Sequence, residues 1–176
     1  EAQVDQLDNR ETRLLLELKR KLSSPERLFL YGKFDQVNRD LPFRPWIDAF
    51  PQWVQYVLAQ GEEEISSWRR LIEGALGAHV PILVQLIPQL EQIVGSQHPS
   101  SDKLSGVELE NRFQAVLAGF LRLFGNKGIT LVVILDDLQW IDPGSAKLLQ
   151  SLLAQNDLSH VLCVGTYREE SEEKQG

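Results

Sequence analysis

Apolar residues along this chain recur at two spacings, one helical and one that forms short unbroken runs. Leu14, Leu15, Leu18 and Leu22 recur at helical spacing among Arg13, Glu17, Lys19 and Lys21, which predicts an amphipathic helix over residues 9–22. Ser23, Ser24 and Pro25 stop it, and Leu28 to Tyr31 then read as a short buried strand ended by Gly32. A helix feeding a strand is half of a crossover unit, which points to an α/β architecture. Three helical stripes follow. Trp46, Ile47, Phe50, Trp53, Val54, Val57 and Leu58 form the first, with Pro51 expected to bend it or to start its second half. Ile65, Trp68, Ile72, Ala75 and Leu76 form the second, behind an acidic first turn of Glu62, Glu63 and Glu64 that suits the helix dipole. Ile82, Leu83, Leu86, Ile87, Leu90, Ile93 and Val94 form the third, interrupted by Pro88. Residues 95–106 have linker composition and no apolar period, so they read as a surface loop. Leu109, Phe113, Val116, Leu117, Phe120, Leu121 and Phe124 give the cleanest helical pattern, with a stop at Gly125 and Asn126.

The pattern then changes to Thr130, Leu131, Val132, Val133, Ile134 and Leu135 without a polar residue between them. A strand with one wet face would alternate, so this one is covered on both faces, as in a parallel sheet. It ends in two acids, Asp136 and Asp137. A further helix over residues 145–153 leads to the apolar strand 161–167, followed by an acidic tail. The three strands 28–31, 130–135 and 161–167 are expected side by side and parallel, with both acids at their shared carboxyl edge.

Composition narrows the class. A net charge of −7 disfavours a direct nucleic-acid partner, because phosphate-backbone binding needs clustered Lys and Arg. A single cysteine, Cys163, supports neither a disulfide framework nor a zinc site, which fits a cytoplasmic location. No apolar run approaches the length of a bilayer span, so no membrane partner is expected. The chain has no methionine and opens in mid-pattern, which implies a piece of a longer protein. His79, His98 and His160 are scattered and carry no catalytic signal.

Ligands of parallel sheets bind at the carboxyl ends of strands. Paired carboxylates there suit Mg²⁺ with a nucleotide, since a hard cation takes oxygen ligands and a second acid can orient the attacking water. Asp136 is the candidate magnesium-side residue and Asp137 the candidate water-polarising one. The competing reading is that two Asp residues simply end a strand, where turns favour them.

The continuation of that strand through residues 131–153, LVVILDDLQWIDPGSAKLLQSLL, resembles the Walker B segment of the STAND or AAA-type P-loop ATPases found fused to protein kinase, GAF and histidine kinase modules. GKFDQ at residues 32–36, Arg39 and the Pro42, Phe43 pair resemble the same family, as does the helix carrying Asn111, Arg112 and Phe113. The likeness covers residues 17–168. It implies a P-loop NTPase-like parallel sheet with flanking helices, a helical insert over residues 44–94, one domain over residues 1–176, and an ATP and Mg²⁺ switch acting on attached signalling domains. It also implies that Thr166 and Arg168 sense the γ-phosphate, although both are equally readable as strand-end polar residues. Gly32 and Lys33 are not a phosphate loop, because Arg27 stands where its glycine belongs and Phe34 where its Ser or Thr belongs. Lys33 and Arg39 read either as facing nucleotide or partner, or as solvated loop charges.

Counted back without gaps, the family's Gly-Lys-Ser falls on Arg10, Glu11 and Thr12, and its earlier glycines on Asp8 and Asp5. Only Thr12 keeps a type that could touch magnesium. A phosphate cradle works through converging backbone N–H groups and a Lys. Carboxylates there oppose a triphosphate by several kcal/mol, given charge pairs worth about 4 kcal/mol at 4 Å. Asp8 and Glu11 have instead the spacing of a capping box. Mg-ATP is therefore expected to bind weakly or not at all to this chain, and two functions stand: an ATP-hydrolysing switch, or a non-hydrolysing remnant acting as a regulatory protein-interaction module.

Overall fold

The computed structural model describes residues 17, 19–22, 24, 26–36, 42–97 and 107–168. Three parallel strands form the sheet: β1 (Arg27–Lys33), β2 (Thr130–Asp136) and β3 (Val161–Gly165), in the order β1-β2-β3. β2 is central, with Leu131 to Asp136 all buried, which is why its sequence carries no alternation. Of the expected helix 9–22, residues 17 and 19–22 are described and are helical. Residues 98–106 of the expected surface loop, like residues 37–41, lie outside the described residues.

Between β1 and β2 come α1 (Arg44–Ala59), α2 (Glu62–Leu76), α3 (Val80–Leu86), α4 (Glu91–Val94) and α5 (Val107–Asn126), with 3₁₀ turns at Gly77–His79 and Pro88–Leu90. Pro88 splits the third stripe as its sequence suggests. Pro51 does not split the first: α1 runs through it. An interior proline costs about 3 kcal/mol. Trp46, Phe50, Trp53, Val54 and Val57 on both sides of it are buried, and that shared apolar face holds the two halves in line. α5 ends at Asn126, within the stop its sequence suggests, and Gly125 is in its last turn. A Cβ on Gly125 would collide with the ring of His160, and the turn to β2 is made at Gly128 with φ 71°.

The sheet has two unlike faces. Leu28, Leu30, Leu131, Val133 and Leu135 meet the helical core, where Trp53 stacks edge-on to Trp68 at 4.9 Å and both rings pack on Phe124. Phe29, Tyr31, Val132, Ile134 and Val164 form the other face. α1 begins hard against the end of β1, because a Cβ on Gly32 would overlap the Pro45 carbonyl group. α6 (Pro143–Leu153) starts under the carboxyl edge, capped by Asp142, whose Oδ1 accepts from the Ser145 N–H at 2.8 Å.

Candidate functional site: an acid pair at the carboxyl edge

β2 delivers Asp136 as its last residue, in register with Lys33 at the end of β1. The chain then turns sharply: Asp137 has φ 57° and ψ 48°, a left-handed conformation that Asp tolerates better than most residues. Both neighbours hold this turn by backbone bonds. Phe34 N–H donates to Asp136 O at 3.0 Å, Thr166 N–H to Leu135 O at 3.0 Å, and Leu138 N–H to Thr166 O at 2.9 Å. Gly165 permits the last contact, since a Cβ there would overlap Leu138.

The two acids have different surroundings. Asp136 Oδ1 accepts from the Thr166 hydroxyl and, at 3.0 Å, from the Asp137 N–H, while Oδ2 accepts from the Tyr31 hydroxyl at 2.7 Å. Those donors are all neutral. Burial and the Asp136 hydrogen bond push the Tyr31 phenol well above its ordinary range, helped by the charges of both acids, so Tyr31 remains a donor. Asp137 instead sits between cations. Lys33 Nζ is 3.3 Å from its Oδ2 and Arg168 is 3.2 Å from its Oδ1, which also accepts from Gln139 at 3.0 Å. Burial alone would raise the Asp137 carboxyl. Hydrogen bonds from Gln139 and Lys33, with the charges of Lys33 and Arg168, outweigh it and hold the group below the usual carboxylate range. Gln139 also accepts from the Arg168 N–H at 3.2 Å, which ties the segment after β3 to the acid loop.

The structure thus gathers Asp136, Asp137, Thr166 and Arg168 within a few ångströms. Thr12, with Asp5, Asp8, Glu11 and Arg39, lies outside the described residues. The sequence alone does not single out Tyr31 or Gln139, and it leaves Lys33 open between two readings. Strand parity was the available signal: Tyr31 stands two residues before Lys33, on the same strand that pairs with β2. Among the described residues no group of three or more His, Cys, Asp or Glu is arranged to hold a metal. One carboxylate completed by water and phosphate oxygens is the usual magnesium arrangement, and an Asp136 whose charge meets only neutral donors suits it. No helix among the described residues is long and apolar enough to cross a membrane.

The family model for the AAA ATPase domain matches residues 12–164, which contain both acids, the whole of β1 and all but the last residue of β3. The chain belongs to the AAA ATPase domain family. This AAA ATPase domain is 35% identical over 136 residues, 77% of the chain, to the hybrid signal transduction histidine kinase G of Dictyostelium discoideum. It is 25% identical over 127 residues, 63% of the chain, to histidine protein kinase 1 of Candida albicans. The chain spans only 4% and 5% of those two proteins. No solved structure matches it.

Proposed function

We propose that this AAA ATPase domain is the nucleotide-responsive part of a signalling protein, in which Mg-ATP binding and hydrolysis at the carboxyl edge reposition attached kinase, GAF or histidine kinase-type domains in the cytoplasm. The observation that carries the reading is the convergence of Asp136, Asp137, Thr166 and Arg168 at the end of the central strand. Asp136 is the metal-side acid and Asp137 the acid that orients water. Thr166 and Arg168 sense the terminal phosphate, and Thr12 adds a residual metal contact. Asp136 would hold the magnesium, which when bound would supply positive charge against that developing on the phosphate. Arg168 and Lys33 already present two cations to one buried carboxylate, and a phosphate entering beside them would draw them from it. The whole chain acts as one domain, with residues 44–94 as a helical insert and 95–106 as a surface loop.

A second reading is favoured by one feature: both oxygens of Asp137 are engaged inside the protein, so it is held as an ion-paired structural acid. Joined to Asp5, Asp8 and Glu11 at the family's glycine-loop positions, this describes a remnant that binds partners without hydrolysis. Phosphate release from millimolar ATP, measured for the chain and for D137N, separates the two. Release lost in D137N supports the switch, and release absent from both supports the remnant.

A further inference from the structure

A carboxylate offers about four lone-pair sites, two on each oxygen. Oδ1 of Asp136 has both of its sites filled, by the Thr166 hydroxyl and the Asp137 N–H. Oδ2 accepts the Tyr31 hydroxyl at 2.7 Å and has no second donor among the described residues. Asp136 is 5% exposed, so its plane is fixed by these partners rather than by solvent. Tyr31 is itself held on the second sheet face, against Val132 and Ile134, with its backbone in register with Ile134.

We propose that Tyr31 is a positioning residue for Asp136: its hydroxyl takes one lone pair of Oδ2 and leaves the other, which meets no donor among the described residues, as the direction in which the acid meets a divalent cation or that cation's water. The proposal rests on Asp136 being the metal-side acid and adds a residue on a different strand. Three bonds from three segments hold the group: Tyr31 from β1, Thr166 from beyond β3, and the amide of the acid loop. Removing the Thr166 bond would free Oδ1, away from the open lone pair. Removing the Tyr31 bond frees Oδ2 itself, so the carboxylate rotates and the metal contact loses its aim. Partners of this kind, which orient a ligand without touching the metal, change metal affinity by about 10–100-fold when removed.

The test is Mn²⁺ uptake by the 176-residue chain in the presence of millimolar ATP, read by electron paramagnetic resonance, for wild type, Y31F, F29L and D136N. Phe29 shares the strand and the apolar face of Tyr31, so F29L reproduces a packing loss without touching Asp136. The expected result is a 10–100-fold weaker Mn²⁺ affinity in Y31F, unchanged affinity in F29L, and the weakest uptake in D136N. D136N weak but Y31F equal to wild type overturns the positioning role and leaves the nucleotide reading standing. D136N equal to wild type, or no uptake by any variant, overturns that reading and the proposal with it. Equal losses in Y31F and F29L reduce Tyr31 to packing. A measurement on folded protein covers a Y31F that fails to fold: in a Y56F/Y167F background, the ultraviolet difference spectrum of Tyr31 should keep the red shift of a donor phenol when Mn²⁺ binds. Loss of that shift would mean that Tyr31 leaves Asp136, contrary to the proposal.

Discussion

Replacing Asp137 by Asn removes one buried negative charge and keeps the shape, the Gln139 hydrogen bond and a residue at ease with positive φ. At the observed 3.3 Å for Lys33 and 3.2 Å for Arg168, each cation contact has a gross attraction of about 5 kcal/mol at an effective dielectric of about 20. Most of that is not realised as stability, because the side chains of Lys33 and Arg168 are 39% and 52% exposed and keep much of their hydration when released. Burial of the acid also opposes its charge. The remainder expected for such charge-assisted bonds is about 1–2 kcal/mol at neutral pH, a fall in Tm of about 2–8 °C for a domain of this size. The pH dependence gives the sharper signature. The folded carboxyl titrates below its unfolded value, so its contribution is complete above the unfolded range near about pH 4 and is lost as pH falls through the lower, folded value. Urea unfolding of wild type and D137N should therefore differ at pH 7 and converge in strong acid. A difference that persists undiminished at low pH, or D137N as stable as wild type at pH 7, would refute the claim that Lys33 and Arg168 hold this acid in its charged form.

Three further outcomes are expected from the packing. G32A should cost about 1–3 kcal/mol in urea unfolding, because the new methyl must displace the Pro45 carbonyl and separate α1 from β1. S145A should leave stability unchanged or raise it by about 1 kcal/mol in thermal melts, since the Ser145 hydroxyl is buried with no hydrogen-bond partner among the described residues and its amide keeps the Asp142 cap. Sedimentation velocity should show concentration-dependent self-association of the 176-residue chain: β3 is paired on one side among the described residues, Leu162 on it is 47% exposed, and Val161–Gly165 contains neither lysine nor proline. L162K should suppress that association, and a monodisperse wild type would count against it.

Much of the fold was legible because burial in a parallel sheet erases alternation, and β2 shows this over its whole length. Its abrupt end in Asp136 and Asp137 placed both acids at one edge, and GKFDQ, the acid string and Thr166 with Arg168 arrive there from separate strands. What the sequence hid was which neighbours each acid would meet. Lys33 sits in register with Asp136 yet bonds Asp137, because the left-handed turn at Asp137 swings its carboxyl across to the cations. Tyr31 reads as an apolar strand residue until strand pairing places its hydroxyl beside Asp136. Tertiary contacts outweighed local preference at Pro51, which starts no second helix but stays inside α1, whereas the Gly125 and Asn126 stop holds, with Gly125 leaving the space that His160 fills.

An acid pair that belongs to a magnesium–nucleotide site should reveal itself in calorimetric titration of Mg-ATP into wild type, D136N and D137N. If Asp5, Asp8 and Glu11 stand at the family's glycine-loop positions, the wild type is expected to bind weakly, near or above a Kd of about 1 mM. D136N is expected to lose the magnesium dependence of whatever binding remains. Binding that is the same in D136N as in wild type, with or without magnesium, would contradict that assignment and place any nucleotide site elsewhere on the chain.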